Sequence, residues 1–444
     1  MTAEEWKQYI QRLLRENNIH TIRMCLPDHT NISRSRNISS AHFLQTVLAS
    51  GASYPSVLFS MDTSAKIRPE LGSGFDGGYP SWLFEPDPKT FSILPYAPGI
   101  ARIIGDVYET DGSPVSVAPR HVLRRVLDEI KQMGFQVYGA FEYEFYAFQG
   151  KTNPPEPAWE GLQLFSEFKQ AEVQQIFTAA MLSLSEMGAG PQIANTEYGS
   201  GQFEITHEPF WDIEIADMAF YYRTSIREIL QQKGLRVTFM SKPFTDMSGS
   251  GSHLNLSLYN RDKGNVFYDN SKPDGLSDIC RWFLAGQLHH AAALCALSNP
   301  TVNSYKRLVP YSFAPTTATW GYENRTAMIR IPHILGNGMR IENRLPGADT
   351  NPYLTLAATL AAGLDGIRRQ LEPPAPLERS GYESGSKLPR SLGEALLALG
   401  QDELFHDLMG SEFVEHTLKL RTAEWERFSR HVTDWETAEY MDLF

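Results

Sequence analysis

The chain has 444 residues, of which 42% are hydrophobic and 21% are charged, and its formal net charge is −12 at pH 7. This acidic balance argues against nucleic acid or an anionic membrane as the main partner, because phosphate binding needs concentrated Lys and Arg. No run of about 18 apolar residues is present, and the chain start lacks the basic and then apolar pattern of a signal sequence. We therefore expect a cytoplasmic protein, with Cys25, Cys280 and Cys295 as reduced, buried thiols.

The length fits two domains or one large enzyme core, and the pattern favours a small α+β domain over residues 1–105. Thr2 and Glu5 form a capping box that opens a helix ending near Asn17. Three short segments with strand patterns follow, near 22–26, 55–61 and 91–94. The turn-rich stretch that comes next separates this unit from a second domain over 106–444.

The second domain alternates strands with long helices and is large enough for a catalytic α+β domain. Helices are predicted by apolar periodicity with Pro at first turns and Gly after last turns. Their expected ranges are 119–134, 167–187, 213–233, 276–297 and 352–370.

Two carboxylates share one face of a predicted strand over 139–148. Residues two apart on a strand point the same way, so Glu142 and Glu144 lie together, while Phe141, Tyr143 and Phe145 face the helices. Carboxylates about 6–7 Å apart repel each other and need cations or a shared proton when partly buried. A sheet with one solvated face is the alternative.

Three further segments add polar groups to strand faces. Glu197 and Glu204 bracket a Gly-rich turn, which folds the first carboxylate back towards the second. His253 and Asn255 follow the glycines of Gly249-Ser-Gly-Ser, where the backbone can approach a ligand closely. For the segment with Glu197 and Glu204, the alternative is a hairpin with one solvated face. For the segment with His253, the alternative is a histidine with a structural role only.

Basic side chains concentrate between 306 and 344 in an otherwise acidic protein. Arg340, Glu342 and Arg344 alternate with apolar or neutral residues, so two guanidiniums flank a fifth carboxylate. Arginines beside clustered carboxylates are typical of anion clamps next to a cation site. Because hard cations such as Mg²⁺ and Mn²⁺ take carboxylate oxygens and bridge phosphates, the residues predict a two-metal phosphoryl-transfer enzyme.

The same segments carry a family resemblance over nearly the full length. The chain resembles glutamine synthetases and, more closely, their γ-glutamyl-amine ligase relatives. The motifs, in order, are Phe141-Glu-Tyr-Glu144, Glu197 to Glu204, Lys242-Pro243 with Gly249-Ser-Gly-Ser-His253, Asn303-Ser-Tyr-Lys-Arg-Leu-Val-Pro310, Asn324-Arg325 with Arg330-Ile-Pro332, and Arg340-Ile-Glu-Asn-Arg344 leading to Asn351-Pro-Tyr353. The resemblance implies a β-grasp N-terminal domain and a catalytic domain with a curved antiparallel sheet.

The resemblance also implies a role for each matching residue. One metal ion would be held by Glu144, Glu197 and Glu204, and a second by Glu142, His253 and Glu342. Glutamate would be bound by Arg307, Arg344 and the Gly249 backbone. The nucleotide phosphates would contact Arg325, Arg330 and Arg340, with Asn255 and Ser257 near the nucleotide. The implied cofactors are two or more Mg²⁺ or Mn²⁺ ions per site, with ATP as co-substrate.

The resemblance also leads us to expect an active site shared between subunits. The resemblance implies two stacked hexameric rings with active sites between subunits, where Asp62 of a neighbour binds and deprotonates the incoming nitrogen. A surface Asp in a turn is the alternative for Asp62. Arg307 and Arg325 complete the residues expected to act in catalysis.

One departure from the family motifs concerns the residue expected to contact the nitrogen substrate. Ammonia-using members follow the Arg-Leu-Val-Pro run with Gly-Tyr-Glu, whose glutamate takes a proton from ammonium, whereas this chain has Tyr311-Ser-Phe313. Phe313 cannot accept a proton and makes the pocket apolar. Ala65 stands where ammonia users often have Ser. Both changes favour an amine with a carbon substituent.

The sequence therefore predicts an ATP-dependent ligase that joins the γ-carboxylate of L-glutamate to a primary amine through γ-glutamyl phosphate. A true glutamine synthetase using ammonia is the first alternative. A non-catalytic structural relative is the second, although such a protein is expected to lose metal ligands and this chain keeps every expected one.

Overall fold

The N-terminal domain is a mixed six-stranded sheet with helices packed against it. The computed structural model of the chain describes residues 1–150, 155–161 and 164–444. The strands of this sheet are β1 (Thr21–Pro27), β2 (Ser33–Ser39), β3 (Ala52–Pro55), β4 (Ser81–Pro86), β5 (Ser92–Ile93) and β6 (Ile100–Tyr108). Its order is β2-β1-β6-β4-β3, with β5 beside β6, and β1 and β6 run parallel. This is the expected β-grasp type of domain.

The second domain is built on a mainly antiparallel sheet, with one parallel pair of strands, centred on one long strand. Its strands are β7 (Gln136–Gln149), β8 (Glu156–Pro157), β9 (Pro191–Thr196), β10 (Gln202–His207), β11 (Phe210–Trp211), β12 (Leu235–Thr238), β13 (Ser252–Asn260), β14 (Gly264–Asn265), β16 (Trp320–Tyr322), β17 (Ile329–Ile331) and β18 (Ile341–Asn343). A separate pair joins β15 (Thr317–Ala318) to β19 (Ser386–Lys387). The main path runs β16-β17-β18-β13-β7-β10-β9, so β7 lies at the centre of the charged strands.

Helices surround both sheets. Three belong to the N-terminal domain, namely α1 (Ala3–Glu16), α2 (Ser40–His42) and α3 (Leu48–Ser50). The others are α4 (Pro119–Gln132), α5 (Glu167–Glu172), α6 (Gln174–Glu186), α7 (Ile213–Gln231), α8 (Asp278–His289), α9 (Ala291–Ser298), α10 (Pro352–Arg369), α11 (Leu392–Gln401), α12 (Glu403–Phe405), α13 (Ser411–Ser429) and α14 (Asp434–Tyr440). Turns of π geometry at Phe43–Val47 and His406–Gly410, and 3-10 turns at Ser56–Ser60, Pro88–Thr90, Ser304–Lys306 and Gly336–Gly338, complete the helical segments.

The local sequence explains several of these boundaries. The Thr2 hydroxyl accepts from Glu5 N at 3.2 Å and the Glu5 carboxylate accepts from Thr2 N at 2.6 Å, which confirms the capping box. The predicted strand near 55–61 is wrong, because only Ala52–Pro55 is extended and Ser56–Ser60 forms a 3-10 turn. The expected helix over 276–297 is interrupted at His290, whose ring bonds Asp365 and Asp402.

One hydrophobic core lies within the N-terminal part, while the larger core of the second domain also includes Cys25, Leu94, Tyr96 and Ile104 of the N-terminal sheet. A buried ion network adds to this contact. Arg120 on α4 donates to Asp87 and Asp106 of the N-terminal domain, both at 2.8 Å, and to Asp217 on α7 at 2.7 and 2.9 Å. Strand β6 continues to Tyr108, so the boundary expected after residue 105 falls inside a strand. Over the described ranges, no helix is both long and apolar enough to cross a membrane.

Candidate active site

Strand register brings the predicted carboxylates together. Glu142 on β7 stands opposite His253 on β13, and Glu144 on β7 stands opposite Glu204 on β10. On the other side of β13, Asn255 is opposite Glu342 on β18. Opposite residues of an antiparallel pair have Cβ atoms about 4.5–5.5 Å apart, so four neighbouring strands present one continuous charged face. The other face of β7 is buried as expected, with Phe141, Tyr143 and Phe145 at most 1% exposed.

Backbone and amide donors hold Glu144 at the centre of this face. Its Oε2 accepts from Gly251 N at 2.8 Å and from Gln202 Nε2 at 3.4 Å. The same Gln202 amide donates to Gly249 O at 3.0 Å, which ties β10 to the glycine-rich segment. Glu197 follows β9, and its Oε1 accepts from Asn195 Nδ2 at 2.8 Å. The Gly-rich turn therefore returns Glu197 to the same face, as predicted.

The carboxylates raise one another's pKa values. Burial raises the pKa of Glu204 to about 11, aided by repulsion from Glu142 and Glu144. Burial, followed by repulsion from Glu144, raises the pKa of Glu197 to about 8. Burial is also the largest cause of the raised pKa values of Glu142 and Glu144. This face therefore retains protons at neutral pH and favours positive charge.

Glu342 is surrounded by basic groups. One of its oxygens accepts from Arg344 Nη1 at 2.6 Å, and the other accepts a short hydrogen bond from Arg330 Nε. His253 Nδ1 lies 3.4 Å from Glu342 Oε1. Burial lowers the pKa of His253 well below its ordinary value, with repulsion from Arg344 as the second cause. A neutral imidazole is the form that ligates a metal ion.

A cavity of about 800 Å³ opens beside these residues. Its lining includes Glu142, Glu204, Asn255, Ser257, Arg330 and Arg340. Arg340 Nε donates to Asn255 Oδ1 at 3.1 Å, and Asn255 Nδ2 donates to Glu142 Oε2 at 3.2 Å. The structure thus brings most residues expected near the nucleotide to one cavity. Arg325 is exposed, and its charge contributes to the lowered pKa values of Glu323 and His253.

The two arginines expected to bind glutamate lie against the glycine-rich segment. Arg307 is buried and donates to the carbonyls of Leu345 and Arg344, both at 3.0 Å, and burial lowers its pKa to about 10. A Cβ at Gly249 would lie 2.7 Å from Arg307 Cγ, so this glycine permits the close approach. Arg344 Nε is buried and has no hydrogen-bond partner among the described residues.

Phe313 is fixed through its backbone, while its side chain is 61% exposed. Its N–H donates to Tyr382 Oη at 2.9 Å, and its carbonyl accepts from Arg344 Nη2 at 3.3 Å. Tyr311 and Phe313 both have positive φ, 60° and 59°, which is strained for non-glycine residues. The loop that carries Phe313 therefore lies next to the expected glutamate site.

Asp62 is buried and fully hydrogen-bonded within its own chain. Asp62 is only 2% exposed, and its carboxylate accepts from Ser64 and Lys66 on one oxygen and from Arg68 and Arg427 on the other. Burial alone raises its pKa, but the hydrogen bonds from Ser64 and Arg68 outweigh burial and lower the pKa well below the ordinary value. Asp62 is therefore held in its charged form by pairing with Arg68 and Arg427.

The donor set fits hard divalent cations, although its side chains are not disposed as a finished ligand shell. In residues 1–150, 155–161 and 164–444, no three His, Cys, Asp or Glu side chains are grouped closely enough to hold one ion. The clustered carboxylate oxygens are nevertheless the ligands that Mg²⁺ or Mn²⁺ prefers, and a bound cation would offset the repulsion that raises the pKa values of Glu197 and Glu204.

Two residues of the site escaped sequence reasoning. Gln202 shares a strand face with Glu204, a signal that was visible, but its bridge to Gly249 depends on tertiary contact. Tyr382 lies 69 residues from Phe313 in sequence and carries no local motif. Only the folded chain links these positions.

Comparison with known proteins gives the family. Residues 116–440 match the family described as glutamine synthetase, catalytic domain. The chain is 31% identical over 461 residues to a glutamate–isopropylamine ligase of a Pseudomonas species, covering 100% of both chains. It is 34% identical to a glutamine synthetase of Thermotoga maritima, covering 98% of this chain and 99% of the relative. A solved structure of a GmaS/ADP complex, at 29% identity, superposes with a TM-score of 0.88 and covers 97% of this chain and 99% of that chain. The chain belongs to the glutamine synthetase family of ligases.

Proposed function

We propose that this chain is a ligase that uses ATP to join the γ-carboxylate of L-glutamate to a primary amine. The observation that carries this proposal is Phe313, an apolar side chain on a loop bonded to Arg344, where ammonia users have a glutamate. An aromatic ring cannot pair with an ammonium ion, but it provides apolar contact for an alkyl substituent. The similarity to a glutamate–isopropylamine ligase agrees with this direction.

The residues present support specific roles in that reaction. Arg344 Nε and the Arg307 environment are suited to the glutamate carboxylates, while Arg325, Arg330 and Arg340 are suited to the ATP phosphates. The expected metal ligands are Glu142, Glu144, Glu197, Glu204, His253 and Glu342. Bound divalent cations neutralise phosphate charge and polarise the transferring group. The chain's own arginines orient the carboxylate and stabilise the developing negative charge.

ATP is needed in the proposed reaction because the glutamate carboxylate must be activated. A carboxylate is a poor electrophile, so transfer of the ATP γ-phosphoryl group to it creates γ-glutamyl phosphate with ADP as leaving group. The bound alkylammonium ion first loses one proton and becomes a neutral amine. Its nitrogen then attacks the acyl carbon, the bond to the phosphate breaks, inorganic phosphate departs, and the nitrogen loses a second proton as the amide forms. In a ring of two stacked hexamers, Asp62 of a neighbouring subunit supplies the negative charge that attracts the protonated amine.

Glutamine synthesis from ammonia is the second candidate. The 34% identity to the Thermotoga maritima glutamine synthetase over 98% of this chain favours it. In that case a group other than residue 313 takes the ammonium proton.

Phosphate release tests both candidates in one experiment. The enzyme is assayed with ATP, Mg²⁺ or Mn²⁺, and glutamate across ammonium, methylamine, ethylamine, isopropylamine, ethanolamine, 1,4-diaminobutane and aniline, with mass spectrometry of the product. Turnover with one substituted amine at least tenfold above ammonium supports the proposal. Best turnover with ammonium overturns it in favour of glutamine synthesis, and no turnover with any nitrogen donor overturns both.

A further inference from the structure

The segment 379–382, which follows helix α10, is anchored to the motif expected to bind the ATP phosphates. Asn324 Nδ2 donates to the carbonyl oxygen of Arg379 at 2.8 Å. Gly381 N donates to Thr326 Oγ1, also at 2.8 Å. Asn324 and Thr326 flank the arginine that is expected to contact the phosphates, so the segment is fixed at that end of the site.

Tyr382, the last residue of this segment, contacts the loop that carries Phe313. Its hydroxyl accepts from Phe313 N at 2.9 Å, and its ring centroid lies 5.2 Å from that of Tyr311. Tyr382 is only 5% exposed, and its carbonyl accepts from Lys387 Nζ at 2.9 Å. The hydroxyl is therefore a fixed partner for the backbone of the loop. The 379–382 segment connects the phosphate end of the expected site to this loop.

The conformation of the loop depends on such contacts. Tyr311 and Phe313 have φ values of 60° and 59°, in the left-handed region that is unfavourable for non-glycine residues. Residues keep this conformation only where the surrounding structure holds them in it. The Phe313 backbone is held on both sides, since its N–H donates to Tyr382 and its carbonyl accepts from Arg344 Nη2 at 3.3 Å. Loss of the Tyr382 contact therefore allows the loop to relax and Phe313 to move.

We propose that Tyr382 is a positioning residue that sets the selectivity for the nitrogen donor. It acts through Phe313, by holding the backbone of the loop so that Phe313 stays next to Arg344. This inference rests on the proposed function, in which the Phe313 ring provides apolar contact for the carbon substituent of the amine. Use of an alkylamine then depends on the Tyr382 hydroxyl. Use of ammonium, which has no carbon substituent, does not.

The Tyr382→Phe variant of the full chain tests this role, because it removes the hydroxyl and keeps the ring and the backbone contacts of the 379–382 segment. We expect the KM for isopropylamine to rise at least fivefold, with kcat and the KM values for ATP and ammonium within twofold of wild type. Tyr54→Phe is the matched control. It also removes a buried hydroxyl that bonds a backbone carbonyl, that of Met24 at 2.7 Å, but in the N-terminal domain.

A double-mutant cycle tests whether Tyr382 acts through Phe313. Phe313→Ala removes the ring and keeps a non-glycine residue at that position of the loop. In this background Tyr382→Phe is expected to change the KM for isopropylamine less than twofold, since the ring that the hydroxyl positions is absent. A further fivefold rise in that background overturns the proposal, because Tyr382 then acts by another route.

Hydrogen exchange tests the contact without any nitrogen donor. In fragments that cover residues 311–314, we expect amide exchange at least fivefold faster in Tyr382→Phe than in wild type and in Tyr54→Phe. Equal exchange in the three proteins overturns the proposal.

The ratio of kcat/KM for isopropylamine to that for ammonium separates this proposal from the proposed function. A ratio that falls at least fivefold in Tyr382→Phe supports the role of Tyr382, whichever donor the wild type prefers, and an unchanged ratio overturns it. Best wild-type turnover with ammonium overturns the proposed function alone. Wild-type turnover with ammonium and no alkylamine overturns both.

Discussion

Glu144 on β7 and Glu204 on β10 stand directly opposite each other on antiparallel strands. Like charges in this arrangement destabilise a sheet, and here burial with repulsion raises the pKa of Glu204 to about 11. A carboxyl whose folded pKa exceeds its unfolded value makes the protein less stable as pH rises above the unfolded value of about 4.5. The pair therefore lowers stability at neutral pH, as expected of groups arranged for function.

The Glu204→Gln substitution removes the destabilising effect of ionising Glu204 and keeps the shape of the side chain. We expect the free energy of unfolding at pH 7, without divalent cations, to rise by on the order of 2 kcal/mol. Turnover is expected to fall at least a hundredfold. Chemical denaturation with and without Mn²⁺ measures the effect: Mn²⁺ stabilises the wild type and has little effect on the variant. Thr206→Val, on the same strand, is the control, and a loss of stability in Glu204→Gln contradicts the interpretation.

Glu342→Ala is expected to abolish turnover, with a loss of at least a thousandfold. The substitution removes a proposed metal ligand and leaves Arg330 and Arg344 without their shared acceptor. Glu323→Ala is the matched control, because Glu323 binds the same Arg330 at 2.9 Å from an exposed position. Phosphate release measures both variants. Near-normal activity in Glu342→Ala excludes it as a ligand.

Phe313→Glu tests the nitrogen pocket. The new carboxylate restores a proton acceptor, so we expect the preference for ammonium over alkylamine to rise at least tenfold in kcat/KM. Phe313→Leu keeps the site apolar and is expected to retain alkylamine preference. Unchanged selectivity in Phe313→Glu places the nitrogen pocket elsewhere.

Two buried histidines are expected to make the folded protein less stable as pH decreases. The rings of His29 and His416 lie 4.1 Å apart, and burial, followed in His29 by repulsion from His416, lowers the pKa of both below 6.5. The unfolded chain therefore binds more protons between about pH 6.5 and 4, so stability decreases as pH falls through that window. The nearby charges are Arg421, Glu412 and Lys419.

The His416→Gln substitution is expected to reduce the dependence of the free energy of unfolding on pH. His416 alone accounts for about 3 kcal/mol between pH 6.5 and 4, given a folded pKa of about 4. Denaturant titrations at pH 7 and pH 5 compare the variant with wild type and with His431→Gln, an exposed control. An identical pH dependence in all three proteins contradicts the assignment.

Subunit mixing tests whether Asp62 acts across an interface. Asp62→Ala and Glu342→Ala are each expected to be inactive, since each removes one part of every site. In rings assembled from both variants, random mixing gives roughly a quarter of the sites both intact residues, so activity reappears. No recovery in mixed rings excludes an intersubunit role. Arg68→Lys keeps positive charge beside Asp62 and serves as a control for its position.

Local pattern was sufficient to predict much of the fold and the charged face. The Thr2 capping box, the alternation of Glu142 with Phe141 and Tyr143, and the helix start at Pro352 depend on neighbours in sequence. The turn at Ser56–Ser60 was not predicted, because its apolar residues also suit a strand. Tertiary hydrogen bonds, such as those from Arg427 to Asp62 and from Phe313 to Tyr382, join distant segments and leave no sequence pattern.

Arg120 adds a buried ionic contact between the two domains to the apolar contact that Tyr96 and Ile104 make with the larger core. Its guanidinium satisfies Asp87, Asp106 and Asp217 at once, and it is only 2% exposed. If the domains separate, the Arg120 guanidinium and its carboxylate partners lose their ion pairs. Leaving these charges buried and unpaired is unfavourable, and hydrating them disrupts the packing around them. We therefore expect the N-terminal domain and the second domain to be coupled in unfolding, rather than to open independently.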